Sequence, residues 1–204
     1  RRRSMRVTDA MDRLNLPDSG LPDTILMTDE KRLADPLAVI GALPANSAVI
    51  LRHYGVPERE ELALRLITAA RKLGVRVLIA ADARLAVKVG ADGLHLPEAL
   101  AARGPGIWRT WCRPDWLVTA SAHSPGALCR AGRCGADAAL LAPVFPTDSH
   151  PQRAPIGCLR FSAWCRQSPV PVYALGGVKP ENQRRLKGSG AWGIAGISGF
   201  LDTP

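Results

Sequence analysis

One stretch, Pro171-Val-Tyr-Ala-Leu-Gly-Gly-Val-Lys-Pro180, constrains this chain more than any other. A short apolar strand runs straight into a glycine pair and then into a helix start. A second apolar strand, Trp192-Gly-Ile-Ala-Gly-Ile197, follows and ends in Ser198-Gly199. Two such junctions in succession place several backbone N–H groups at one end of a parallel sheet, which suits a phosphate dianion. In a (β/α)₈ barrel the loops after strands seven and eight commonly form such a site. That architecture requires six more β/α units upstream.

The upstream sequence supplies them. Strands are expected at 24–28, 48–52, 76–81, 92–96, 117–121 and 137–142, and the two terminal strands at 170–175 and 192–197. Helices are expected between them at 36–43, 57–73, 83–89, 98–103, 125–134, 156–166 and 180–187. The helix over 57–73 is the best marked. Pro57 sits in its first turn, Glu58, Glu60 and Glu61 favour the dipole there, and Gly74 stops it. Leu62, Leu66, Ala69 and Leu73 mark its expected buried face. Strands alternating with helices imply a parallel sheet, and eight units imply a closed barrel. The expected fold is therefore α/β, a single TIM (β/α)₈ barrel with a short or absent eighth helix. Residues 1–22, basic and broken by Pro17 and Pro22, read as an extension with one short helix near 7–14. Residues 23–204 read as the barrel. Residues 6–20 or a second subunit are expected to cover the flank of strands eight and one, so a homodimer is one option.

Composition narrows the function. At 204 residues the chain suits one well-buried core. No apolar run approaches the ~20 residues of a membrane span, and no secretory h-region follows the charged start, so a cytoplasmic location is expected. The five cysteines are odd in number and lack CxxC spacing, which argues against disulfides or a zinc site. The net charge of +9 falls to +6 without Arg1–Arg3. It favours an anionic substrate over nucleic acid, because no basic stripe interleaves with aromatic residues.

Barrel chemistry lies at the carboxyl ends of strands. Thr28 and Asp29, Arg52, His53 and Tyr54, Asp82, His95, Ser121 and His123, Phe145, Thr147, Ser149 and His150, Gly176 and Gly177, and Ser198 and Gly199 all fall there. The list contains all four histidines of the chain. His95, inside Gly93-Leu-His-Leu96, reads as a structural hydrogen-bonding residue. His53 and His150 read as exposed loop residues. His123 follows a strand directly and precedes a helix start, the position for an acid/base near neutral pH. Three histidines with Asp82 would suit zinc, but no two lie on one local element.

These residues resemble the thiamine phosphate synthase/TenI family of TIM barrels. The resemblance rests on Leu26-Met-Thr-Asp29, Ala81-Asp82, Gly90-Ala-Asp-Gly-Leu-His-Leu96, Ser121-Ala-His-Ser124, Gly135-Ala-Asp137, Ala142-Pro-Val-Phe-Pro-Thr147, Pro171–Gly177 and Ile197-Ser198. It implies one of two activities. The synthase joins a pyrimidine diphosphate to a thiazole phosphate with Mg²⁺. The TenI branch isomerises a thiazole carboxylate phosphate to its aromatic form by proton transfer through a histidine after strand five, here His123.

Departures favour the second. The synthase lysine after strand two is Tyr54, its Asn-Asp after strand three is Ala81-Asp82, its second magnesium aspartate is missing from Pro97-Glu-Ala-Leu100, and its strand-six loop reads Thr147-Asp-Ser-His150. The growing charge of a leaving diphosphate needs cations, and magnesium needs several oxygen ligands. The resemblance implies substrate contacts from Arg52, Asp82, Ser121, Thr147, Ser149, Gly176, Gly177, Ile197 and Ser198. It also implies a small phosphorylated thiazole as substrate and no metal, with Mg²⁺ needed only by a working synthase. A non-catalytic binder of thiazole phosphate is the reading from another class. Gly177 is expected to be glycine so that phosphate can reach the backbone.

Overall fold

The computed structural model describes residues 20–147 and 152–197. Eight parallel strands close in sequence order into a barrel. They are β1 (Thr24–Met27), β2 (Ser47–Leu51), β3 (Arg76–Ala80), β4 (Gly93–Leu96), β5 (Leu117–Ala122), β6 (Ala138–Leu141), β7 (Val172–Leu175) and β8 (Gly193–Gly196). The ring is completed where Ile25 of β1 pairs with Ala195 of β8. Helices α1 (Leu37–Ile40), α2 (Arg59–Arg71), α3 (Ala83–Val89), α4 (Glu98–Ala101), α5 (Pro125–Cys134) and α6 (Cys158–Gln167) follow strands one to six. None is long and apolar enough to cross a membrane.

The two-residue period of a strand divides each strand between two cores. Ile25, Met27, Ala48, Ile50, Leu78, Ala80, Leu117, Leu140, Tyr173 and Ala195 point inward and fill the barrel. Leu26, Val49, Leu51, Val77, Ile79, Val118 and Leu141 point outward and meet the helices. Carried past the strand ends, the inward parity delivers Arg52, Ser121, Leu175 and Ile197 to the barrel mouth, where a cavity opens.

The opposite end is closed by the incoming chain. Leu21 and Pro22 are buried, and Leu21 belongs to the interior cluster. The Pro22 carbonyl accepts hydrogen bonds from Tyr173 Oη at 2.6 Å and Trp192 Nε1 at 3.2 Å. The Arg76 guanidinium reaches the Gly20 carbonyl. Residues 20–22, the end of the expected extension, thus pack as a plug against the barrel. The helix expected near 7–14, and all but Gly20 of the cover expected from residues 6–20, lie outside the described residues.

Three further expectations are corrected. α2 buries Ala63, Leu66, Ile67 and Ala70, while Leu73 is exposed, so its inner face is turned by about one residue from the one expected. The register is set by the small Ala63 and Ala70, which let the helix approach β3; leucine spacing alone missed them. Between β7 and β8 the expected helix 180–187 is only a 3₁₀ turn, Gln183–Leu186, anchored by buried Leu186. Lys179 N–H is taken by the Asn182 side chain at 2.9 Å, and left-handed Gly188 ends the segment, leaving no room for a full helix. Finally, His53 is buried rather than exposed. The chain after Ile197, where an eighth helix would begin, lies outside the described residues.

Candidate active site

The mouth holds a cavity of about 440 Å³ lined by residues from every strand end except β3. Among the residues singled out in the sequence, Arg52, Ser121, His123, Thr147, Gly176 and Ile197 line it. Asp82 does not. Its carboxylate caps α3 by accepting Leu85 N–H at 2.9 Å and lies 4.0 Å from the Arg59 guanidinium. Ser149, His150 and Ser198 lie outside the described residues.

The three described histidines divide by what their rings touch. In His53, Nε2 donates to the Ala34 carbonyl at 3.3 Å, so Nδ1 accepts from Thr28 Oγ1 at 2.8 Å. Thr28 in turn accepts Arg52 N–H at 2.9 Å, so this ring ties the β1 and β2 ends to the chain before α1. In His95, Nδ1 meets Thr119 Oγ1 and Nε2 meets Ser121 Oγ, both at 2.9 Å. Burial, reinforced by the Arg52 charge, pushes the His95 pKa down to about 3. His95 is therefore a neutral interior ring that orients Ser121, as the structural reading expects.

His123 differs. Ser124 accepts Ala127 N–H at 3.2 Å as the cap of α5, and Pro125 fixes the first helical turn. His123 is thereby held between the end of β5 and that cap, about a third exposed at the side chain. Its Nδ1 is 2.6 Å from Glu98 Oε2, and Glu98 Oε1 accepts from the Arg130 guanidinium at 3.0 Å. Its Nε2 has no partner among the described residues. In the sequence Glu98 stands out only as the residue near which the synthase's second aspartate is missing. A carboxylate immediately after β4, next to a histidine immediately after the neighbouring strand, was the available signal.

The His123–Glu98 pair, with Ala142 and Pro143, also borders a second groove of about 690 Å³ that runs to Arg153, Arg160 and Trp164.

On the other side, Asp29, Arg32, Arg52 and Tyr54 form the wall from β1 and β2. Partial burial pushes the Asp29 carboxyl up. Hydrogen bonds from the Arg32 side chain and from the backbone N–H groups of Arg32 and Lys31, with the Arg32 charge, outweigh it and hold the pKa at about 2. The Arg52 guanidinium has no partner among the described residues, leaving a half-buried cation at the cavity. Gly177 does not line the cavity, but next to the lining residue Gly176 the backbone N–H groups of Gly177 and Val178 have no acceptor among the described residues.

Gly177 meets a packing demand in addition to the one expected. A Cβ there would lie 2.3 Å from the Pro146 carbonyl oxygen and 2.8 Å from that of Phe145. One at Gly176 would lie 2.8 Å from Pro143 Cα. Both residues also have positive φ. The close passage of the β6–α6 loop therefore already requires glycine at both positions, before any ligand arrives.

Magnesium fits this donor set poorly. Among the described residues, Asp29 is engaged by Arg32, Glu98 by His123 and Arg130, and Asp82 by the α3 cap beside Arg59. Among the described residues no three His, Cys, Asp or Glu side chains converge as a metal site.

Fold and mouth together give a closed eight-stranded barrel whose cavity lies between a histidine-bearing wall and an arginine-bearing wall. Residues 25–200 match the family model described as Thiamine monophosphate synthase, and the chain belongs to this thiamine phosphate synthase/TenI family of thiamine biosynthesis. It is 37% identical over 156 residues to "Putative thiamine-phosphate synthase 2" of Aquifex aeolicus, covering 76% of this chain and 82% of that one. It is 32% identical over 174 residues to the thiamine-phosphate synthase of Chloroflexus aurantiacus, covering 80% and 77%. A thiamine phosphate pyrophosphorylase structure from Pyrococcus furiosus superposes with a TM-score of 0.71 at 24% identity, over 91% of this chain and 89% of that one, a likeness of fold.

Proposed function

We propose that this barrel is a thiazole tautomerase acting on a phosphorylated thiazole carboxylate. The observation that carries the reading is His123: of the described histidines it alone lines the cavity with a ring nitrogen left over for a ligand. His53 and His95 spend both nitrogens on the protein. Nε2 of His123 takes a proton from one carbon of the conjugated thiazole, and the protonated ring returns a proton at another, giving the aromatic isomer. Atoms and charge balance without a cofactor, and a positioned acid/base of this kind supplies roughly 10²–10⁴ in rate.

The substrate phosphate sits against the amides of Gly177 and Val178. Its carboxylate faces the Arg52 side, and Ser121 and Thr147 contact the ring. Ser149 and Ser198 remain proposed contacts on the strength of the family resemblance. The reading includes no metal and a cytoplasmic setting.

The second reading is thiamine phosphate synthesis, favoured by the names of the relatives and by the cation Arg52 at the cavity. Against it stand Tyr54 in place of lysine and the poor fit to magnesium.

One experiment divides them. Purified protein is given the thiazole carboxylate phosphate alone, and in parallel thiazole phosphate, the pyrimidine diphosphate and Mg²⁺. Aromatisation in the first tube, abolished in His123→Gln with phosphate-ligand binding retained, is the expected result. Thiamine phosphate in the second tube would establish the synthase. Binding without turnover in either would leave a non-catalytic binder.

A further inference from the structure

We infer that Glu98 is the positioning residue that sets which nitrogen of His123 carries the proton, and that Arg130 holds Glu98 in the one state that can do this. The carboxylate receives two donors at once. Oε1 takes an N–H of Arg130 at 3.0 Å, and Oε2 lies 2.6 Å from Nδ1 of His123. An ionised carboxylate is acceptor-only, so Nδ1 must be the protonated nitrogen of the neutral ring. The lone pair is then on Nε2, the nitrogen with no partner among the described residues.

The three side chains come from three segments. Glu98 is the first residue of α4, His123 lies between β5 and α5, and Arg130 is in the middle of α5. Arg130 Nε is buried without a partner, so the guanidinium is fixed by its bond to Glu98 rather than by a network of its own. The arrangement follows the general logic of a base oriented by a third group: the carboxylate fixes the ring plane and the tautomer, and stabilises the imidazolium formed during turnover. The kinetic part of this inference rests on the tautomerase reading; the tautomer itself does not.

Glutamine separates this role from a mere α4–α5 ion pair. It has an oxygen at only one of the two positions where the carboxylate has Oε1 and Oε2, the other being an NH₂ donor, so it cannot present an acceptor to Arg130 and to Nδ1–H in this geometry. With the carbonyl on Arg130, the NH₂ group faces Nδ1 and turns it into an acceptor, which moves the proton to Nε2.

The test reads the imidazole ¹⁵N resonances of His123 at alkaline pH, assigned with His123→Gln, together with steady-state kinetics of Glu98→Gln and Glu98→Ala. Wild type should show Nδ1–H, and both variants a shift towards Nε2–H. Their kcat should fall on the order of 10²-fold, with KM changed far less, because the phosphate and carboxylate contacts are untouched. Glu98→Asp, reaching less far, should recover part of kcat. Wild type carrying Nε2–H, or variants that keep the wild-type tautomer and kcat while folded, would overturn the inference. If wild type shows Nδ1–H and both variants lose it but no tautomerase activity exists, the proposed function falls and the positioning of His123 by Glu98 stands.

Discussion

Burial can turn a titratable ring into a fixed part of a wall, and His95 illustrates the cost. Its pKa is pushed from 6.5 to about 3, chiefly by burial. Below pH 6.5 the unfolded chain binds a proton that the folded chain refuses, so stability must fall with pH until about pH 3. Over the window from pH 7 to pH 5 this one group accounts for about 2 kcal/mol of lost stability. Urea unfolding at pH 7 and pH 5 should show that loss in wild type, and a smaller one in His95→Gln. Equal losses would mean that the ring is not held neutral. Asp29 acts in a separate window: its depressed pKa contributes stability above the usual carboxylate range, lost only as pH falls towards 2. Ala81 is a second residue-scale case. It follows β3 with φ of +64°, a left-handed backbone that an alanine enters at a cost. Ala81→Gly should stabilise the fold by roughly 0.5–1 kcal/mol, after the added freedom of the unfolded glycine is deducted. A lower Tm in that variant would contradict the strain. At this scale the sequence was informative about parity and poor about partners. His123 was found because it adjoins a strand end. His53 was misjudged and Glu98 overlooked because their partners, Thr28, Ala34 and Arg130, are distant in sequence.

At the scale of elements, the pattern of strands was legible almost throughout, because buried parallel strands are short apolar runs ended by polar or glycine residues. α3 and α5 were legible to the residue, since Asp82 and Ser124 cap them and Gly90 and Gly135 close them. The segment between β7 and β8 was not, because helix-compatible residues say nothing of the space available before Gly188. The plug formed by residues 20–22 was also hidden, since its partners lie over 150 positions away, at Tyr173 and Trp192. That plug gives an element-scale prediction. Tyr173→Phe should cost about 1 kcal/mol, with Trp192 still serving the Pro22 carbonyl. Adding Trp192→Phe orphans a buried acceptor, so the double variant should lose more than the two single losses together, by denaturant unfolding. Simple additivity would show that the two donors act independently.

At the scale of the molecule, the barrel segregates reactive groups from inert ones. Burial raises the thiol pKa of Cys112 and Cys134, and pushes that of Cys165 up to about 12. Cys129, by contrast, is exposed on α5. Under native conditions a thiol reagent should modify Cys129 first and reach Cys134 and Cys165 only on unfolding, as read by mass spectrometry. Rapid native labelling of Cys165 would mean that α6 opens readily.

The wall shared by the 440 Å³ cavity and the 690 Å³ groove has a consequence of its own. His123 and Glu98 border both spaces, so a hydrogen lifted from the substrate on one side can be traded for one from bulk water on the other before it is returned. Turnover in deuterium oxide should therefore write solvent isotope into the product, as a mass increase of about one unit at the newly protonated carbon, set by the shared wall. Faithful retention of the original protium would mean that the groove side of the pair stays sealed during the reaction.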